Sequence, residues 1–254
     1  MTRFRFAIAL GVTGLLVALA ALGTPAGPAL AQTFQFDLGP EAQGSTASRL
    51  IQLVALVTIL SLAPSILVMV TSFTRIVVVL SFLRSALGIQ QTPPNSVLIS
   101  LALFLTLFIM MPTLQVIYDE ALQPLIAEDV TELEAVERAT TPVRDFMLTH
   151  VREQDLKLFM DLAKTGPIAT PEETPMRSLI PAFMISELRR AFEIGFLLFL
   201  PFIIIDMVVA TVLMSMGMMM LPPIMISLPF KLIFFVLVDG WYLVAGSLVQ
   251  SYGG

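Results

Sequence analysis

Four long apolar stretches, each broken by proline and studded with charge, constrain this chain more than any other feature. They cover residues 49–87, 96–127, 178–216 and 224–250. A helix over the first would reach roughly 55–60 Å, about twice the hydrocarbon thickness of a bilayer. Pro64 divides it, because a proline inside a helix removes one backbone bond and kinks the axis. Pro112 and Pro124 interrupt the second stretch, the third has Pro181 and Pro201 inside it, and Pro229 lies near the start of the fourth. Neither a strand alternation nor a repeat of fixed period is visible. The pattern predicts an all-α fold of two long, kinked helical hairpins, 49–127 and 178–254, joined by a small polar helical subdomain at 128–177.

The turns have their own signals. Gly88 suits the position just past a helix end, and Pro93-Pro94 cannot continue a helix. Asn95 is a good N-cap for the next one. The middle region holds 11 of the 19 acidic residues and 6 of the 14 basic ones. Val143, Phe146, Met147 and Val151 recur there at helical spacing, as do Leu156, Phe159, Met160 and Leu162. Some 50 residues make a marginal core alone, so these stripes are expected to pack on a neighbour.

Composition sets the environment. Charged residues make up 13% of the chain and hydrophobic ones 57%, against roughly 25% charged in a soluble domain. Lipid or partner helices must therefore replace water over much of the surface. The net charge of −5 argues against a nucleic-acid partner, since phosphate binding wants a basic face. Cysteine is absent, which excludes a disulfide framework, a thiolate metal site and a Cys nucleophile. The one histidine, His150, reads as an ordinary solvated side chain. Gly-Lys-Ser/Thr, Gly-x-Ser-x-Gly and His-Glu-x-x-His patterns are all missing. The chain thus reads as having no catalytic activity and no cofactor.

The N-terminus resembles a secretory signal. Arg3 and Arg5 precede an apolar run from Phe6 to Leu22, Pro25 and Pro28 follow, and Ala29-Leu30-Ala31 supplies a cleavage pattern ahead of Gln32. Residues 1–31 are expected to be removed, leaving 32–48 as a flexible leader on the outer side of the membrane. Arg75 and Arg84 near the 88–95 turn place that turn on the cytoplasmic side. The acidic subdomain then returns outside, and the Met-rich loop faces the cytoplasm.

Two features inside the apolar stretches call for an explanation. Arg75, Arg84, Glu187, Arg189, Arg190, Glu193, Asp206, Lys231 and Asp239 all lie in runs that otherwise read as membrane, where an unpaired charge costs at least ~2.5–3.5 kcal/mol. They must pair, line water or sit outside the hydrocarbon. Glu187 can reach Arg190 and Arg189 can reach Glu193 along one helix, while Lys231 and Asp239 need partners from elsewhere. Local pairing, contacts between subunits and a proton or ion relay are all open on this evidence. The last would make the chain a secondary transporter or channel using Asp206 and Lys231. The second feature is the run from Met214 to Met225, where 6 of the 15 methionines fall within 12 residues. Met side chains are flexible and fill irregular or changing gaps. Around a shared axis they would form a soft apolar constriction. Packing at a hairpin tip and copper(I) binding are the alternatives.

Several blocks resemble the FliP family of flagellar export proteins, whose injectisome counterparts are SctR-type proteins. They run Thr71 to Arg84, Gln90 to Asn95, Pro181 to Gly195, Pro201 to Pro223, Leu228 to Lys231 and Val238 to Trp241, and the resemblance spans nearly all of residues 50–250. The signal segment is similar to that of the flagellar branch. The resemblance implies a pore-forming subunit of the type III export gate in the bacterial inner membrane, at the flagellar basal body. It implies a ring of five identical subunits completed by FliR and FliQ, working with FlhA and FlhB on unfolded flagellar export substrates. It also implies that the helical hairpins build a conical shell lifted largely out of the bilayer. The family's gasket methionines fall on Met218, Met219 and Met220, and a charge contact between subunits falls on Glu187 and Lys231.

Overall fold

A computed structural model describes residues 46–89, 91–164, 166, 170–218 and 220–253. The expected signal segment, 1–31, and the leader as far as residue 45 lie outside the described residues. The chain divides into a unit of residues 1–54 and a unit of residues 55–254. Of the first, only the start of α1 (Thr46–Val70) is described; this helix begins inside the predicted leader.

All regular structure among the described residues is helical. After α1 come α2 (Phe73–Ala86) and α3 (Asn95–Ile117). A π-helical turn, Tyr118–Leu122, leads into the short α4 (Gln123–Ile126). The polar region holds α5 (Glu132–His150) and α6 (Glu153–Leu162). Then follow α7 (Met176–Ser215), α8 (Pro223–Leu237) and α9 (Gly240–Gln250).

The predicted stop at Gly88 forms as a Schellman turn. Gly88 has φ +78°, its N–H donates to the Ser85 carbonyl at 3.0 Å, and the Ile89 N–H donates to Arg84 at 3.4 Å. This 5→2 and 6→1 pair satisfies carbonyls that the helix end would leave bare. Asn95, expected as an N-cap, is instead the first residue of α3, with Pro94 at the cap position. Its side-chain oxygen accepts from Arg84 Nη1 at 2.5 Å, so it ties the two arms of the first hairpin together. At α5 the cap is Thr131, whose Oγ1 accepts from the Glu134 N–H at 3.4 Å, one half of a capping box.

The prolines behave less uniformly than expected. A bend of 41° separates Leu53–Leu62 from Pro64–Val70, as Pro64 predicts. Pro181 and Pro201, by contrast, lie inside the 40-residue α7 without ending it. Such a helix is about 60 Å long. Each proline removes one backbone bond, but Ala182, Phe183 and Phe202 beside them are buried, and packing on that scale outweighs one missing bond. The fourth apolar stretch does not break at Pro229, which lies within α8. It turns by 62° between α8 and α9, at Asp239, a residue with φ +51°.

The core explains the order of these helices. Ile76, Val79, Leu80, Leu83, Ala86 and Leu87 form one stripe of α2, and all are buried. Their spacing is that of a single helix face. Against it pack Leu98, Ala102 and Leu105 of α3, Ala191 and Phe202 of α7, Phe235 of α8 and Val244 and Leu248 of α9. Full burial of one such aliphatic side chain contributes about 1.5–3 kcal/mol. Where α7 packs on α2 at Gly195, the Phe82 side chain lies against the glycine. A Cβ there would lie 2.6 Å from the Phe82 ring. A second cluster joins Val70, Met147, Leu179 and Phe183, with Val143, Phe146, Val151 and Leu156 packed around it. The amphipathic stripe of the polar region thus packs on the first turns of α7, as its spacing implied.

Candidate functional site

Three features carry the chemistry: two buried charge nodes and one exposed apolar tip. The first node is centred on Glu187, which faces inward from α7 and has 0% exposure. Arg75 of α2 meets it through Nε at 2.9 Å and Nη2 at 2.5 Å. Nη1 of the same guanidinium donates to the Ser251 carbonyl at 3.3 Å and to Ser251 Oγ at 3.0 Å. The Tyr252 hydroxyl donates to Glu187 Oε2. Burial, and then the charge of Glu187, push that hydroxyl far above the usual tyrosine range, so it stays a donor. The Tyr252 ring lies under the guanidinium, 3.8 Å from Cζ to centroid. A planar fork that uses all three nitrogens at once suits Arg and would not suit Lys.

The second node joins α7, α8 and the end of α2. Lys231 Nζ donates to Asp206 Oδ2 at 2.6 Å and to the Ala86 carbonyl at 3.2 Å. Ser227 Oγ donates to Asp206 Oδ1 at 2.5 Å. A cation at the C-terminal carbonyls of α2 is also favoured by the helix dipole. Lys231 needed a partner from another segment, and Asp206 is that partner.

The sequence pairing of Glu187 with Arg190 is corrected by this geometry. Glu187 points to the core, while Arg190 lies on the exposed side and meets Glu193 at 3.1 Å, beside Arg189 at 3.0 Å. Glu187 and Lys231, expected to meet between subunits, each have a partner within the chain. His150, expected to be solvated, is half-buried. Its ring sits 4.6 Å from Phe146 and 4.9 Å from Tyr252, and its Nδ1 lies 2.7 Å from the Phe146 carbonyl. Ser251, Tyr252, Ser227 and Ser186 escaped the sequence reading. Ser186 Oγ donates to Asp155 at 2.7 Å and accepts from the Arg152 N–H at 3.1 Å, pinning the start of α6 to α7. A polar aromatic just past an apolar helix was the available signal for Tyr252.

The tip lies between α7 and α8. Gly217, at φ +75°, ends α7 in a second Schellman turn. Its N–H donates to Met214 at 3.1 Å and the Met218 N–H to Leu213 at 3.0 Å. The turn projects its side chains outward: Met220 is 99% and Met218 43% exposed. Met219 lies outside the described residues. Below the tip, α7 and α8 line an apolar groove of about 560 Å³ that includes Ile204, Val208, Val212 and Phe230.

The surface is as apolar as the composition requires. Phe192, Phe196, Leu197, Ile204, Met207 and Val208 are exposed along α7 alone. Among the described residues, two helices, Asn95–Ile126 and Met176–Ser215, are long and apolar enough to cross a bilayer, and up to four spans result if each bent pair counts as one. Buried charge pairs under an apolar exterior define a helical membrane protein, one whose outer face is made for lipid or for other protein.

The FliP family model matches residues 56–248, and the chain belongs to that family. It is 58% identical over 241 residues to the flagellar biosynthetic protein FliP of Caulobacter vibrioides, covering 95% of this chain and 90% of that one. The Bacillus subtilis protein of the same name is 55% identical over 213 residues, with 84% and 95% covered. That of Aquifex aeolicus is 55% identical over 204 residues, with 80% and 85% covered.

Proposed function

We propose that the chain is a pore-forming subunit of the flagellar type III export gate, and that Met218, Met219 and Met220 seal its closed pore. The observation that carries this reading is the exposed Met-rich tip held on a hydrogen-bonded turn at the end of a 40-residue helix. Thioether side chains on a fixed backbone can close on one another and still yield to a passing chain. Copies of the chain surround a common axis, five in number, and FliQ and FliR complete the ring. FlhA and FlhB supply the neighbouring export machinery, and unfolded flagellar proteins are the cargo. The exposed faces of α7 and α8 are the surfaces through which subunits pack. The site is the bacterial inner membrane at the flagellar basal body, reached by way of a cleaved signal segment, 1–31.

The test is conductance. The chain is co-expressed with FliQ and FliR and reconstituted, with and without simultaneous Met218→Ala, Met219→Ala and Met220→Ala. The gasket reading expects the triple variant to leak small ions while the wild type stays closed. Equal conductance of the two assemblies would sink it.

A further inference from the structure

The segment that follows α9 reaches three separate parts of the fold within two residues. Ser251 accepts two bonds from Arg75 of α2. Tyr252 donates to Glu187 of α7. Its ring also stacks near-parallel on Phe146 of α5, with centroids 6.0 Å apart and planes 15° apart, and touches His150, the last residue of that helix.

We propose that Ser251 and Tyr252 form a latch that holds α5 against the α2–α7 core and keeps water from the Arg75–Glu187 pair. The ring covers one face of the guanidinium while the hydroxyl occupies the Glu187 carboxylate. Opening the latch therefore does two things at once. Water reaches the ion pair and weakens it by raising the local dielectric. The α5 helix loses the aromatic stack that Phe146 and His150 make with Tyr252. The main stripe of α2 with α3, α8 and α9 contains none of these residues. The latch thus defines a unit that can open without the core opening, a local equilibrium of the kind amide exchange resolves. This device is independent of the gasket.

Hydrogen exchange read by mass spectrometry on the full detergent-solubilised chain tests it, comparing wild type, Tyr252→Phe and Tyr252→Ala. Tyr252→Ala loses the ring contacts as well as one charged hydrogen bond, so it is expected to lower protection in residues 143–151 by more than about tenfold, with α3 unchanged. Tyr252→Phe keeps the ring and loses only the hydroxyl, so it should give a smaller loss at the same place. Unchanged exchange at 143–151 in Tyr252→Ala overturns the latch. So does an equal loss across α3 and α5 in Tyr252→Phe, which would mean general destabilisation. Should Tyr252→Ala not fold, Tyr252→Phe alone decides.

Discussion

Arg75 and Glu187, 112 residues apart in sequence, form a two-pronged ion pair with both side chains buried. The pair holds α2 to α7 at the point where the polar helices also dock. Because both charges are dry, removing one is worse than removing both. Glu187→Ala should cost about 3–5 kcal/mol, whereas Arg75→Met combined with Glu187→Leu should recover most of that loss. Urea unfolding in detergent, followed by helical circular dichroism, measures it. Additive losses would show that the pair is not energetically coupled.

The Asp206–Lys231 pair should respond asymmetrically. Lys231 is buried and Asp206 is about one-third exposed. Asp206→Ala strands a buried ammonium, while Lys231→Met leaves a carboxylate that still has Ser227 and solvent. The first variant should be less stable than the second by about 1–2 kcal/mol, discounted for the screening of the exposed partner. The same unfolding measurement ranks them, and the reverse order would contradict the pairing.

Gly195 and Gly246 both lie within helices, where alanine is normally better than glycine by about 1 kcal/mol. Gly246 has open space where a Cβ would go, whereas Gly195 faces the Phe82 ring at 2.6 Å, with Phe82 Cβ itself at 3.2 Å. Gly246→Ala should be neutral or stabilising. Gly195→Ala should cost about 1–3 kcal/mol through overpacking, and Phe82→Ala in the same chain should relieve much of it. Thermal melts of the four proteins decide the signs.

Alkaline stability should report on Tyr252. Its folded-state pKa is raised by burial and by Glu187, so folding favours the protonated hydroxyl. Below about pH 10, the ordinary tyrosine value, folded and unfolded chains are both protonated and this group adds no pH dependence. Above it the unfolded chain ionises first, and stability falls as pH rises. Tyr252→Phe removes that slope. Unfolding midpoints at a series of alkaline pH values would show parallel curves if Tyr252 made no such contribution.

Part of this was readable before any tertiary structure. Gly88 stops a helix because glycine reaches positive φ without strain, and the surrounding apolar periodicity names the helix it ends. The stripe from Val143 to Val151 declares its buried face by spacing. The block similarities name the family. Pro112, read as an interruption, lies inside α3, because a proline reports a lost backbone bond and says nothing about the side chains that hold the axis through it. The bend at Asp239 falls on an Asp-Gly pair, a turn signal that the apolar run around it obscured.

The partners of the charges belong to the tertiary structure. Sequence alone established that nine charges in apolar runs required an explanation, because the desolvation penalty depends only on the residue and its apolar neighbours. It placed Glu187 within reach of Arg190, three residues away. The fold turned Glu187 to the core and Arg190 to the outside, leaving Arg75 as the partner, and it brought Asp206 to Lys231. The same fold drew His150 partly out of solvent and set Tyr252 beside it. Helix propensity and hydrophobic pattern act over a few turns and are written locally. Which faces of two helices meet depends on how the whole apolar surface packs, and that is decided only when the distant segments come together.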